Sequence, residues 1–400
     1  MTETPILETA LPLATSGDIA VINLESARGQ SWNRFQRYPE RPGVAGYIVE
    51  QEQMTLQFLS DARALDRLES LIEQLVRTGI EPTQLALIQA QVASTAHRFS
   101  EARDYLRAAE DYGRLPSAAN RLLLSIDQAC GDKLDTLLES RRQIAAESGR
   151  LEDLVPLGSL LADLGQFDEA DSIYKQAFRS YQDVSPFALA WVCFQLGVLW
   201  GELVPEVQSS RAADWYRRAI EYVPSYVKAR VHLSEIYLED QLIGDAEALL
   251  LPALASGDPE VDWRLADVMT AQGRASAGKK YLENAARGFE ALLDNYLLAF
   301  ADHGAEFYSG SGNDPGRALE LADLNLANRP TLRAFEQTYE TAVGAGQLQA
   351  ASEILTAATL RWGASHAFSF SPLAECGTAS MGGSDALLNE LKGAKDDNRP

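Results

Sequence analysis

The stretch AFADHGAEFY brings Asp302, His303 and Glu306 close together, the nearest approach to a metal-ligand cluster in the chain. Residues three apart share one face of a helix, so His303 and Glu306 could both address one ion. Bundle metal sites collect several such pairs from facing helices. No second His-carboxylate pair is expected to face this one, and His97, His232, His303 and His366 are spread over the whole chain. The expectation is a solvated or groove-lining helix face. A metal-binding or enzymatic use of Asp302, His303 and Glu306 is the alternative. The run SGSGNDPG, residues 309–316, lacks the Lys-Ser/Thr of a phosphate loop and the dinucleotide glycine spacing. It reads as a lengthened turn with Asp314-Pro315 starting a helix. Ser380 in GTASMGG does not have the spacing of a nucleophile elbow. Cys193 sits in an apolar run, where a thiol behaves as a small core residue. No catalytic constellation, metal or cofactor is expected.

Composition narrows the partner. A net charge of −22 would repel phosphates and anionic membrane surfaces, which need a basic face. A protein or peptide partner with basic segments is the natural complement, and no nucleic acid is expected. Three cysteines form no C-x-x-C pair, which suits a reducing compartment. The N-terminus MTETPILETALPLATSGD carries acids where a signal peptide needs basic residues. The most apolar run, from Phe187 to Trp200, is shorter than the roughly 18 residues a membrane span requires. These features lead to the expectation of a cytoplasmic protein without membrane insertion, and the Ala-Arg-Leu-rich helices suggest a bacterial one.

The elements that hold these residues follow a repeat. Ala170, Tyr174 and Ala177 lie on one helical face, after the turn signal GQFDEA, in which Gly165 ends one helix and Asp168 can cap the next. Gly158 stands twelve residues before Ala170. Small residues at two fixed points let antiparallel helices approach closely. The template recurs at Ala90 with Ala102, Leu106 and Ala109, at Ser234 with Ala246, Leu250 and Ala253, and at Ala266 with Gly278, Leu282 and Ala285. It closes at Ala351, Leu355 and Ala358. Ala102, Thr136 and Ala170 are 34 residues apart. Two helices per period of this length predict an all-α stacked solenoid of antiparallel helix pairs.

The chain resembles the tetratricopeptide repeat (TPR) family, in its bacterial type. The resemblance rests on Leu157-Gly158 with Ala170, Tyr174 and Ala177, and on Leu196-Gly197 with Ala212, Tyr216, Ala219 and Pro224. It covers about four fifths of the chain. Up to nine units begin near Val49, Thr83, Ser117, Leu151, Ala190, Val227, Pro259, Leu298 and Leu332, with weaker matches at Val49 and Ser117. The resemblance implies a right-handed superhelix whose first helices line a concave groove for other proteins. Projected onto this sequence, that face carries Trp191, Phe194 and Val198, then Lys228, Glu235 and Glu239. It continues through Trp263, Asp267, Asp302, Glu306, Glu336 and Glu340. The Lys, Asn and Arg of a carboxylate clamp are missing from the matching places. Inward carboxylates favour an Arg- or Lys-bearing partner anchored by an aromatic residue. The competing explanation is that these acids simply keep the protein soluble.

Three regions are expected: a non-repeat segment or cap over 1–48, a repeat array over 49–365, and a flexible tail over 366–400. In the first, Arg28, Arg34, Arg37 and Arg41 interleave with Trp32, Phe35 and Tyr38. This basic stretch either docks in the acidic groove or caps the first repeat. The sequence as a whole points to a non-catalytic scaffold or adaptor that captures a partner segment along Trp191, Phe194, Val198, Glu235, Trp263, Asp267, Asp302, Glu306 and Glu340.

Overall fold

A computed structural model describes residues 12–112 and 116–380. Among them there is no β-strand; the chain is a succession of antiparallel helix pairs. A leading helix α1 (Gly17–Arg37) precedes α2 (Val44–Leu59) with α3 (Arg63–Thr78), and α4 (Pro82–Thr95) with α5 (Phe99–Tyr112). Next come α6 (Ser117–Ala129) with α7 (Leu134–Ser148), α8 (Leu151–Asp163) with α9 (Phe167–Ser180), and α10 (Pro186–Val198) with α11 (Ser209–Tyr222). The array continues through α12 (Val227–Glu239) with α13 (Ile243–Leu250), and α14 (Pro259–Ala271) with α15 (Ala275–Ser309). It ends with α16 (Pro315–Asn328), α17 (Leu332–Gly344), α18 (Leu348–Trp362) and α19 (Pro372–Ser380). Helix α15 breaks at Tyr296 (φ −139°, ψ 51°). Its first half pairs with α14 and its second half with α16.

The small residues do what their spacing predicts. A Cβ on Gly158 would stand 2.6 Å from the Tyr174 ring, and one on Gly197 would stand 2.4 Å from Tyr216. Each tyrosine is buried, so a ring of one helix fills the notch of its partner. Gly165 takes φ +75° to end α8. Asp168 lies in the first turn of α9 rather than at its N-cap, which is Gln166, so it acts on the helix dipole instead. The SGSGNDPG run is a turn, and Asp314 caps α16 by accepting from the Arg317 N–H at 3.0 Å.

The apolar run extends further than its first impression. Pro186–Leu203 is a single 18-residue stretch with mean hydropathy 1.3, long and apolar enough by composition to cross a membrane, and 56% of it is buried inside the fold. Five residues, Leu199–Leu203, continue α10 as a wider π turn. Leu189, Cys193 and Leu196 are fully enclosed between neighbouring helices, and the Trp200 indole N–H donates to Asp171 at 2.9 Å. The apolarity is used by the solenoid core.

Successive turns of the superhelix touch. Phe58 at the end of α2 packs on Phe187 and Tyr226, with ring centroids 4.9 and 4.8 Å apart. The Tyr296 hydroxyl donates to Asp66 at 2.6 Å, and Asn328 Nδ2 donates to the His97 carbonyl at 3.0 Å. Arg361 donates to the Gly131 carbonyl and to Asp132, both at 3.1 Å. The coil is therefore tightly wound, and its inner face is a recess between turns rather than an open groove.

The C-terminal end differs from expectation. Residues 366–380 are not a tail: Ala367–Phe370 form a 3-10 turn, α19 follows, and Phe368 and Leu373 are buried against the last pair. They cover the apolar surface of the last described helix pair. The segments DALLNELK and KGAKDDNRP lie outside the described residues, as does most of MTETPILETALPLATSGD. At the other end the basic stretch caps the first pair. Trp32 Nε1 donates to Glu52 at 2.8 Å, Arg28 approaches the same carboxylate at 3.7 Å, and Phe35 is buried among Ile48, Leu68 and Leu71. It does not enter the acidic face, and Arg34, Arg37 and Arg41 are exposed.

Candidate functional site

The inner face of the later units is built by one helix from each pair. In α14 the alternation of apolar and polar residues places Glu260, Arg264 and Asp267 on it, at i, i+4 and i+7, while Val261, Leu265 and Val268 face the core. By the same geometry α10 presents Trp191, Phe194 and Val198, all half-buried, and α12 presents His232 and Glu235. The second half of α15 adds Asp302, His303 and Glu306, and α17 adds Arg333, Glu336 and Glu340.

An aromatic floor lies at the α10 end. Phe194 meets Tyr216, Tyr226 and His232 with ring centroids 5.7, 5.2 and 5.4 Å away, and Tyr216 stacks on His232 at 5.5 Å. Beyond it runs a chain of ion pairs. Glu202, in the π turn after α10, accepts from His232 Nδ1 at 3.0 Å and from the Tyr216 hydroxyl at 3.2 Å, and meets Arg333 at 3.3 Å. Glu260 takes His303 Nδ1 at 2.5 Å, and Asp302 takes Arg329 at 2.5 Å. Arg264 is shared: it pairs with Glu235, reaches Glu306 at 3.4 Å and Asp267 at 3.6 Å, and lies 3.7 Å over the Trp263 ring. The side chains of Glu202, His232, Glu235, Asp267, Asp302 and His303 keep 26–35% of their surface open to water, although the coil surrounds them. The recess is wet.

These pairings fix protonation. Burial alone would lower the His232 pKa, but Glu202 and Glu235 outweigh it and raise it to about 9. His303 is raised to about 9 likewise, by Asp302 and Glu260 against burial. Burial pushes the Glu202 carboxyl up, but His232, Arg333 and Tyr216 hold it at about 2. His97, on the α4–α5 turn beside this lattice, is lowered to about 4 by burial and then by Arg329. The linkage signs follow. The raised histidines stabilise the fold fully below pH 6.5, and that stability is lost as pH rises through about 9. Lowered Glu202 contributes above pH 4.5, and its share is lost as pH falls through about 2. The share of His97 is present above pH 6.5 and lost as pH falls through about 4. Thermal stability should therefore peak near pH 6.5 and decline from pH 7 to 9. In a His232→Gln/His303→Gln variant the alkaline decline should flatten in a pH series of melting curves; an unchanged decline would show that these pairs do not govern it.

Of the residues expected on this face, Trp191, Phe194, Val198, Glu235, Asp267, Asp302 and Glu306 lie along it, and Glu340 is exposed at its rim. Trp263 does not present itself. It is 4% exposed, packed on Phe289 and Phe307 with ring centroids 6.3 and 5.4 Å away, because its position on α14 turns toward α15. The inner-facing neighbour is Arg264. Asp302, His303 and Glu306 do not converge on one point: they go to Arg329, Glu260 and Arg264 respectively. Among the described residues no three His, Cys, Asp or Glu side chains gather as a metal-binding group. The cations Arg264, Arg329 and Arg333 and the carboxylates Glu202 and Glu260 were not anticipated. Glu260 and Arg264 were legible as the i, i+4 partners on the Asp267 face; Arg329 and Glu202 lie at helix ends, outside the periodic pattern.

No protein-family model and no curated protein matches this sequence. Solved structures do. The chain is similar to a chain of the APC/C hetero-tetramer Cut9-Hcn1 (13% identity, 86% of this chain and 65% of that one, TM-score 0.41), so it spans about two thirds of that chain's length. It is similar to a tetratricopeptide repeat protein from Parabacteroides merdae (14% identity, 65% of this chain and 98% of that one, TM-score 0.38). It is also similar to the apo form of the quorum sensor NprR from B. thuringiensis (13% identity, 86% of this chain and 97% of that one, TM-score 0.42). The described residues form an all-α solenoid of helix pairs; a fold of this kind leaves the function to its surfaces.

Proposed function

We propose that the protein is a non-catalytic interaction scaffold whose inner face receives a partner segment bearing an arginine or lysine next to an apolar or aromatic side chain. The observation that carries this is a cluster of carboxylates around one arginine. Glu235, Asp267 and Glu306 share the guanidinium of Arg264, and Glu235 also meets His232 at 3.5 Å. Burial raises Glu235 and Asp267 despite that arginine, so a further cation placed beside them would favour their charged forms. Glu336 and Glu340, one helical turn apart, continue the row of carboxylates toward the rim, and burial raises Glu336. A further cation would form charge-assisted hydrogen bonds there. The half-buried Trp191, Phe194 and Val198 provide the adjoining apolar contact. The scaffold reading is favoured over the enzymatic or metal one by the ion pairs of Asp302, His303 and Glu306, which lead to Arg329, Glu260 and Arg264.

The test is fluorescence anisotropy with an Arg- and Trp-bearing peptide and its Gln-for-Arg counterpart. The arginine peptide should bind, weaken with salt, and lose about tenfold in affinity in Glu235→Gln/Asp267→Asn, a difference of about 1.4 kcal/mol. Equal binding of the two peptides, or an unaffected double variant, would sink the assignment.

A further inference from the structure

The contacts between turns of the coil are of two kinds. On one side, α1 and α2 are joined to α10 and α12 by apolar packing. Ala20, Leu24 and Phe58 belong to the same buried cluster as Phe187, Leu189 and Tyr226. On the other side, the turns α4–α5 and α6–α7 and the start of α3 meet α15, α16 and α18 through polar contacts. These are the Tyr296–Asp66 and Asn328–His97 hydrogen bonds and the contacts of Arg361 with Gly131 and Asp132. The apolar clusters of α2–α7 and of α14–α16 are separate, and the apolar contacts across the polar side are few: Leu134 packs on the last cluster, the Trp362 ring covers Gly131, and Phe167 on the next turn meets Phe370 with ring centroids 5.5 Å apart. Tyr296, which makes one of these hydrogen bonds, is also the residue at which α15 leaves helical geometry.

We propose that this polar seam is a clasp, and that the coil opens along it while the apolar α2–α10–α12 contact acts as the hinge. A seam of one surface ion pair and single hydrogen bonds contributes little net stability, and its ion pair weakens with salt. Polar contacts between parts of one chain permit relative motion, whereas a packed apolar cluster resists it. The break at Tyr296 supplies a joint between α14–α15 and α15–α16, so the later units can swing without melting a helix. Opening widens the access to the recess lined by Glu235, Arg264 and His303. The clasp is a property of the fold and does not depend on the identity of the segment bound there.

The native cysteines report on it in the full chain. Cys130 is 3% exposed, on the α6–α7 turn, with Sγ 3.9 Å from the Asn328 carbonyl across the seam. Cys193 is fully buried inside α10 and α11, away from the seam. Under native conditions a thiol reagent, followed by peptide mass spectrometry, should modify Cys130 at least about tenfold faster than Cys193, because local opening needs less free energy than global unfolding. Salt and the substitutions Tyr296→Phe and Arg361→Gln should raise the Cys130 rate further and enlarge the radius of gyration in small-angle scattering, with helix content unchanged. Equal rates at the two thiols in the unmodified protein would overturn the clasp, as would a Cys130 rate indifferent to salt and to both substitutions. The labelling uses no partner, so its outcome is independent of the peptide experiment.

Discussion

Replacing Gly197 by alanine is expected to destabilise the central helix pair by about 1–2 kcal/mol, and valine by more, even though both are better helix formers than glycine. Alanine gains up to about 1 kcal/mol in helix propensity at an interior position. Against that, its Cβ would sit 2.4, 2.5 and 2.8 Å from three atoms of the Tyr216 ring. The ring cannot retreat: it is 1% exposed, stacked on His232 at 5.5 Å, and its hydroxyl donates to Glu202 at 3.2 Å. Moving it disturbs the Glu202–His232 pair as well as the core, so overpacking of roughly 1–3 kcal/mol outweighs propensity. The matched control is Gly46→Ala in α2, where nothing lies within 4 Å of the new Cβ. That change should stabilise by about 0.5–1 kcal/mol. Urea or thermal unfolding of the two variants decides it; a Gly197→Ala protein as stable as the parent would show that the helices can separate without cost.

Arg264→Ala should have the largest electrostatic effect, about 3 kcal/mol at neutral pH, the scale for removing one partner from a largely buried ionic group. The arginine side chain is 15% exposed and is the common partner of Glu235, Asp267 and Glu306. Removing it leaves Glu235 with His232 as its cation, leaves Asp267 and Glu306 without one, and uncovers the Trp263 ring. Glu235 and Asp267 already have raised pKa values, from burial set against Arg264, and without it they rise further. The sign is fixed by linkage: a carboxyl raised in the folded state costs stability above its unfolded pKa, and that cost vanishes as pH falls below it. The gap between Arg264→Ala and the parent should therefore be widest at pH 7 and close toward pH 4 in parallel melting curves. Free guanidinium at millimolar concentration should also stabilise the variant more than the parent. A gap independent of pH would assign the loss to packing of the arginine stem on Trp263 instead.

Much of the fold was legible because a repeat writes its packing locally. Gly158 with Tyr174 and Gly197 with Tyr216 lie in consecutive helices, so their complementarity appears as spacing, and Cys193 could be assigned to the core from the apolar run around it. What the sequence could not display is the pitch of the coil. Pitch accumulates from small rotations at every pair, and it alone decides that Asn328 meets His97, 231 residues away. That closeness turned an open groove into a wet recess, made the segment after His366 a cap, and gave the inward acids partners in Arg329 and Arg333. Register on a single helix was the finer failure. Each residue turns the helix by about 100°, so an assignment one position out named Trp263, which the fold buries, in place of Arg264, the cation that Glu235, Asp267 and Glu306 share. Local periodicity determined the units of this protein; the winding of one turn onto the next determined which of their faces remain in contact with water.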